Sequence, residues 1–169
     1  AATMSGWGTT PSASVSVTAD TTNDRKTTYT YDKAGLLFTT TVDGLTTLTN
    51  TYDGASRLTQ TTQGDRTTRY YYDKDGKQIA VLNAENYLSE NIYDSVGLVT
   101  LTIRYEKKIT TISDLSTMRT AASSGEKLST YYFYDSQGRQ TGVVDEQGFL
   151  TQTVYSEGFW VDGYIFKST

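Results

Sequence analysis

Polar and apolar residues alternate along most of this chain with the two-residue period of a β-strand. Tyr29 and Tyr31 fall on one side of an extended segment while Thr residues occupy the other, and Tyr70 and Tyr72 repeat the arrangement. Clusters of Gly, Asp and Asn interrupt the alternation about every ten residues, which leaves strands of roughly five to seven residues. The pattern predicts short antiparallel strands joined by tight turns.

A sequence repeat with the signature Tyr-Asp-x-x-Gly underlies this rhythm. One copy has Ser56 in place of Gly, and a last copy at Tyr155 has lost the Asp. The Tyr positions 31, 52, 72, 93, 134 and 155 differ by 21, 20, 21, 41 and 21 residues. The residues to which we assign a structural role as the repeat signature are Tyr31, Asp32, Gly35, Tyr52, Asp53, Tyr72, Asp73, Gly76, Tyr93, Asp94, Gly97, Tyr134, Asp135 and Gly138.

The signature has a physical reason in the chemistry of turns. An Asp side chain accepts a hydrogen bond from the backbone two residues on, and a Gly three residues later adopts the left-handed conformation that closes a short hairpin loop. A second turn signal follows about ten residues after the first, as at Asp43-Gly44, Gly64-Asp65, Asn83–Asn86 and Asp145–Gly148. Each repeat is therefore predicted to be one β-hairpin.

The segment 106–127 interrupts the rhythm, because 41 residues separate Tyr93 from Tyr134. This spacing is about two periods, so one interpretation is a degenerate repeat that has lost its Tyr near Ser113-Asp114. Another is an insertion that forms a longer hairpin with an extended loop, with a short helix over Leu115–Ala122.

These elements predict an all-β fold, an antiparallel meander of about 12 strands that curls into part or all of a β-shell. Residues 1–24 form a lead-in or cap, 25–157 the hairpin array and 158–169 a C-terminal capping strand. The aromatic residues Trp7, Phe159 and Trp160 are expected to cover the two ends of the sheet, or alternatively to bind a partner.

Composition excludes several classes of function. The net charge is −4, and the only tight basic pair, Lys107-Lys108, lies beside Glu106, so we expect no nucleic-acid binding. No apolar run has transmembrane length, so no membrane insertion is expected. The chain contains neither Cys nor His, which removes the familiar nucleophile–base pairs; we expect no enzymatic activity, no catalytic residue and no cofactor.

Three candidate ligand sites remain, each with a simpler explanation. Repeated Tyr and Asp side chains could bind carbohydrate, although residues present in every repeat are more simply structural. The segment Asp73–Gly76 is similar to a Ca²⁺ loop but lacks its further ligands, so no metal site is predicted. The carboxylate pairs Asp145 with Glu146 and Glu85 with Glu90 could serve glycoside hydrolysis, but we expect them to be solvated turn residues.

The copies of Tyr-Asp-x-x-Gly/Ser resemble the YD repeats of RHS proteins, which also occur in teneurins and in the B and C subunits of insecticidal toxin complexes. The resemblance covers residues 25–157. It implies a strand-turn-strand ribbon that spirals into a hollow β-shell in a secreted or surface protein of bacteria. The only Pro is Pro11, so the Pro-rich self-cleavage motifs of the family are absent from this sequence.

The resemblance favours a structural module that acts as a scaffold or encapsulating wall within a larger exported protein. Its partners would be flanking repeats of the same polypeptide, together with an encapsulated polypeptide. The alternatives are an adhesin-like module that binds a surface glycan or a protein, and a hydrolase fragment. An exposed aromatic patch beside a concave site would favour the adhesin, and open pairing edges would favour the wall.

Overall fold

A computed structural model describes the backbone of residues 3–5, 16–18, 20, 24–155, 159–161 and 164–166. Side chains are described for Asp20 and for residues 24–155. The expected covering roles of Trp7, Phe159 and Trp160 therefore lie outside the described side chains.

An open, eleven-stranded antiparallel sheet forms the body of the protein. Two further strand pairs, β1 with β2 and β14 with β15, are separate from it. Every strand of the large sheet pairs with its neighbours in sequence, so the predicted hairpin meander is confirmed. The strands are β1 (Thr3–Ser5), β2 (Ser16–Thr18), β3 (Thr27–Tyr31), β4 (Leu37–Val42), β5 (Leu48–Tyr52), β6 (Leu58–Gln63), β7 (Arg66–Tyr72), β8 (Gln78–Leu82), β9 (Leu88–Tyr93), β10 (Val99–Tyr105), β11 (Lys127–Tyr134), β12 (Gln140–Val144), β13 (Leu150–Gln152), β14 (Phe159–Val161) and β15 (Tyr164–Phe166).

Seven turns of the array share one geometry. Asp32 Oδ1 accepts hydrogen bonds from the N–H groups of Ala34 and Leu36 at 2.8 and 2.9 Å, and the N–H of Gly35 donates to the Asp32 carbonyl at 3.1 Å. Gly35 has a φ of +80°. The same set of bonds closes the turns that begin at Asp53, Asp73, Asn83, Asp94, Asp135 and Asp145.

A β-bulge follows each signature turn. Tyr31 pairs with Leu37, whereas Thr30 pairs with Thr39, so Phe38 is an extra residue on β4. A bulge of this kind removes one residue from the regular ladder and increases the local twist. The corresponding extra residues on the other strands that leave a signature turn are Thr59, Ile79, Thr100 and Thr141.

The two faces of the sheet differ in what they carry. The tyrosine face, as we call it, bears Tyr52, Tyr72, Tyr93 and Tyr134, because cross-strand partners share a side and residues alternate along each strand. The helix face is the opposite side. At its β3–β7 end it is rich in Thr, with the Thr30 and Thr39 hydroxyls 2.6 Å apart.

One helix, α1 (Leu115–Ala122), packs on the helix face and creates the main buried core. Its N-cap, Asp114, accepts a hydrogen bond from the N–H of Thr117 at 3.0 Å. The segment before α1 is joined to a turn of the sheet by the Ile109 N–H, which donates to the Asn86 carbonyl at 2.8 Å. The buried apolar side chains are Ala80, Leu82, Leu88, Tyr105, Ile109, Met118 and Ala122.

The expectation of a lost repeat near Ser113-Asp114 is wrong. Strand β10 pairs directly with β11, so the wide spacing between Tyr93 and Tyr134 comes from a long connection inside one hairpin. The Asp that survives at position 114 caps α1 instead of starting a hairpin turn. The short helix and the extended loop, both foreseen for this segment, occur together.

The turn geometry predicts which substitutions will destabilise the fold. Gly76 and Gly138 have φ of +87° and +78°, where a β-branched side chain is strained. Gly76→Val and Gly138→Val should each lower the free energy of unfolding by roughly 1–3 kcal/mol. The matched controls Lys74→Val and Gln137→Val lie in the same turns without positive φ and should change it by less than about 0.5 kcal/mol. Chemical denaturation measures all four, and equal losses would contradict the turn assignment.

Candidate functional site

The five complete signature turns lie at one end of the sheet. In each, the Tyr ends the incoming strand, the Asp starts the turn and the residue three positions after the Asp has positive φ. In the second turn that residue is Ser56, with a φ of +61°, in place of Gly. The predicted signature residues thus form a row of equivalent positions across the sheet.

Each signature Tyr after the first binds the preceding hairpin through its hydroxyl group. The hydroxyls of Tyr52, Tyr72, Tyr93, Tyr134 and Tyr155 donate to the backbone carbonyls of Leu37, Leu58, Gln78, Val99 and Gln140, respectively, at 2.8–2.9 Å. In the decayed last copy, Tyr155 keeps this bond although Ser156 has replaced the Asp.

The accepting carbonyl always occupies the same structural position. It belongs to the first residue of the strand that leaves the previous signature turn, which is the residue opposite the previous Tyr at the bulge. Bulges disrupt the ladder bonds around them, and a buried carbonyl without a partner is costly. The Tyr hydroxyl therefore supplies a donor to the carbonyl beside the preceding bulge, and the Leu37 carbonyl also accepts from Asn50 Nδ2 at 3.1 Å.

Basic side chains reinforce the row of tyrosines. The Arg57 guanidinium carbon lies 4.8 Å from the centroid of the Tyr72 ring, and Arg139 lies 4.6 Å from that of Tyr155. Both arginines also bind the Asp four residues earlier, with Nε to Oδ2 distances of 2.7 Å. Lys77 lies over Tyr93 at 5.4 Å. Cation–ring contacts of this type join one turn to the next repeat.

The pKa values of the row follow from these contacts. Burial raises the pKa of Tyr72 and of Tyr134, because the charged phenolate is disfavoured away from water. Backbone N–H donors lower the pKa of three turn carboxyls: Arg57 is the largest cause for Asp53, Leu98 for Asp94 and Arg139 for Asp135. At neutral pH the two tyrosines therefore remain protonated hydrogen-bond donors, and the three Asp carboxyls remain ionised hydrogen-bond acceptors.

A second polar cluster lies under α1 on the helix face. Glu90 is only 6% exposed, and its Oε1 accepts a hydrogen bond from Arg119 Nε at 2.6 Å. The Tyr105 hydroxyl donates to Glu90 Oε2 at 3.1 Å, and burial raises the pKa of Tyr105. A cleft of about 580 Å³ opens beside the cluster between Ile92 and Ile103. The cluster ties the helix to the centre of the sheet.

The expectation that Glu90 is a solvated turn residue is wrong, since it is a buried strand residue bound to α1. Glu85 contacts a different arginine, Arg66, so the two carboxylates do not act as a pair. Asp145 closes its own turn, while Glu146 lies 3.3 Å from Arg104. Among residues 24–155, no three carboxylates converge on a metal-sized site.

Sequence reasoning missed three of these features. The carbonyl partner of each Tyr could not be foreseen, because it depends on a bulge for which the sequence gives no signal. The buried position of Glu90 depends on a helix that is distant in sequence. The basic residues four positions after Asp53, Asp73 and Asp135 were visible as a recurring feature, and they could have suggested the ring contacts.

Removal of one hydroxyl tests the row of tyrosines. In Tyr72→Phe the Leu58 carbonyl loses its donor while the ring and its contact with Arg57 remain. We expect the free energy of unfolding to fall by about 1–2 kcal/mol, the cost of an unsatisfied polar group. Tyr70 lies on the same strand and face without such a bond among the described residues, so Tyr70→Phe should change stability by less than about 0.5 kcal/mol. Equal effects in denaturation would contradict the assigned role of the hydroxyl.

The Glu90 cluster is tested by a double-mutant cycle. Arg119→Met leaves a buried carboxylate without its cation and should cost about 1–2 kcal/mol, a value moderated by the half-exposed position of the guanidinium. In a Glu90→Gln background the same substitution should cost much less, because no charge remains to be compensated. Additive losses in thermal or chemical unfolding would show that the two side chains are not coupled.

No protein-family model and no curated protein matches the sequence. Among the described residues, no helix has the length and apolar character needed to cross a membrane.

Solved structures do resemble the fold. A crystal structure of TcdB2-TccC3 without its hypervariable C-terminal region superposes on 76% of this chain and 7% of its own, with a TM-score of 0.55 and 17% identity. Structures of TcdB2-TccC3-TEV and TcdB2-TccC3-Cdc42 cover 76% of this chain and 8% of theirs, with TM-scores of 0.44 and identities of 12% and 11%. The first likeness confirms, at the level of the fold, the predicted resemblance to toxin-complex proteins built from hairpin repeats.

Proposed function

We propose that the chain is a structural, non-enzymatic segment of a hairpin-repeat wall within a larger exported bacterial protein. The observation that carries this proposal is the internal use of the signature groups. The Asp oxygens bind their own turns, and the Tyr hydroxyls from Tyr52 onward bind the preceding hairpin. Because these Asp and Tyr side chains form hydrogen bonds within the sheet in each repeat, they hold the array together and are not free to bind a ligand.

The open edges of the sheet support the same proposal. Strands β3 and β13 end the eleven-stranded sheet, and every residue of both strands is exposed. Exposed edges accept further strands, so flanking repeats of the same polypeptide are suitable partners. The chain spans only 7% of the TcdB2-TccC3 chain that it resembles, which fits a segment of a much longer wall.

The helix face of such a wall would offer a surface that can contact an enclosed polypeptide. Beyond α1, this face exposes Ile92, Tyr131, Phe133 and Leu150. They lie on the alternate strands β9, β11 and β13, and the register places the half-buried Leu101 and Val144 between them on the same face. Contiguous exposed apolar side chains are typical of surfaces that contact another polypeptide. We therefore assign the enclosed side of the wall to the helix face, where an encapsulated polypeptide would lie.

A repeat duplication tests whether the array is a modular wall. A second copy of segment 53–72, inserted after Tyr72, would supply a signature turn, a bulge and a Tyr in the same phase. The copied Tyr hydroxyl would donate to the copied Leu58 carbonyl. The chain should therefore fold with one additional hairpin and undiminished thermal stability. Circular dichroism and hydrogen exchange measure the outcome.

The control is an insertion of the same residues in shuffled order, which keeps length and composition but loses the phase. It should unfold at a lower temperature than the duplicated chain. Equal stability of the two insertions would contradict the modular wall. Specific binding in a glycan array, abolished by Tyr52→Thr in an otherwise folded chain, would favour the adhesin-like alternative instead.

A further inference from the structure

The first signature Tyr differs from the others. The Tyr31 side chain is 63% exposed, and its hydroxyl has no hydrogen-bond partner among the described residues. The five later signature hydroxyls all bind a carbonyl of the preceding hairpin. Tyr31 ends β3, the edge strand of the large sheet, so its acceptor would belong to a strand added at this edge.

The repeat geometry specifies where that acceptor lies in the sequence. Without the helical insertion, the bonded pairs are Tyr52 with Leu37, Tyr72 with Leu58, Tyr93 with Gln78 and Tyr155 with Gln140, at separations of 15, 14, 15 and 15 residues. In every case the acceptor is the first residue of its strand. Counting back 15 residues from Tyr31 gives Ser16, which is the first residue of β2.

The described backbone around β2 shares the acceptor position of the later hairpins but not their bulge, because β1 and β2 pair in unbroken register. Strand β2 pairs antiparallel with β1, and Ser16 lies opposite Ser5, as each later acceptor lies opposite a signature Tyr. Between β2 and β3, the Asp24 N–H donates to the Asp20 carbonyl at 2.7 Å. The Asp20 N–H in turn donates to Asp24 Oδ2 at 2.7 Å.

The later hairpins also fix the register of the contact. In each of them, the residue two positions after the acceptor pairs with the residue three positions before the Tyr. The four observed pairs are Thr39 with Thr49, Gln60 with Arg69, Ala80 with Glu90 and Gly142 with Gln152. The same rule, applied to Ser16 and Tyr31, places Thr18 opposite Thr28.

We propose that the β1–β2 hairpin docks on the edge of β3 as a further hairpin of the array, with the Ser16 carbonyl accepting a hydrogen bond from Tyr31. Strand β1 has Ser5 at the position of a signature Tyr. This hairpin therefore has no Tyr hydroxyl that could donate to the carbonyl of a preceding hairpin. The described tyrosine bonds would therefore extend back to Tyr31, and the outer strand β1 of this hairpin lacks the repeat signature.

Engineered disulfides test the register, since the chain has no native Cys. Thr18→Cys with Thr28→Cys should form an intramolecular disulfide in most molecules on mild oxidation, because directly opposed residues have suitable Cα spacing. The control is Thr18→Cys with Thr27→Cys, whose side chains point to opposite faces in this register, and it should bridge much less. Non-reducing electrophoresis and mass analysis separate the outcomes. Absence of the bridge or equal bridging of both pairs would overturn the proposal, as would a disulfide-linked dimer, which would assign this edge to a second copy of the chain.

Hydrogen exchange provides a second readout without Cys. Loss of the phenol in Tyr31→Phe should speed exchange of the β2 and β3 amides by roughly three- to tenfold, the effect of one lost hydrogen bond. Tyr29→Phe is the control, because the equivalent tyrosines at 70 and 132 bind no bulge carbonyl among the described residues, and it should leave exchange unchanged. If β3 amides already exchange at the rate of an unfolded peptide in the unaltered chain, no strand covers the edge and the proposal fails.

Discussion

The hydrogen bond from a signature Tyr to the carbonyl at the preceding bulge is the contact on which the rest of the array depends. Each signature turn displaces one residue from the ladder, as Phe38 and Thr59 show, and the carbonyl beside it needs another donor. The phenol supplies that donor from the next hairpin while its ring covers the junction. The bulge in one repeat thus forms a hydrogen bond with the next repeat. The last copy fits this role, because Tyr155 makes the bond although the Asp of its signature is lost.

A single-layer sheet has little interior, and the protein concentrates its core at one place. Leu82 and Leu88 are fully buried because α1 and the segment before it cover β8 and β9, whereas the Thr-rich strands from β3 to β7 remain partly open to solvent. Away from α1, stability must come from contacts between neighbouring hairpins, as in other repeat proteins. The buried Glu90 is consistent with this division, since its partner Arg119 fixes the helix at a defined position over the sheet.

The sequence predicted the elements better than it predicted the contacts between them. Alternation and the Asp-x-x-Gly turns act within a few residues, so hairpins, turn positions and even the span Leu115–Ala122 could be derived locally. The contacts of Glu90 and Tyr134 could not, because Arg119 and Val99 lie 29 and 35 residues away and are brought close only by the folded sheet. The lost-repeat interpretation failed for a related reason: spacing alone does not distinguish two periods from one hairpin with a long connection.

Because the signature side chains bind other parts of the sheet, a specific function is more easily carried by other residues. The Tyr72 hydroxyl binds the Leu58 carbonyl and Asp73 binds its own turn, so changes to either would weaken the sheet before they altered any recognition. Features that occur once are free of that constraint. The connection bearing α1 and the exposed side chains Phe133 and Leu150 are such features, and all lie on the helix face. In a sheet built from equivalent hairpins, the non-repeated residues on one face can change while the row of tyrosines on the other face keeps the hairpins in register.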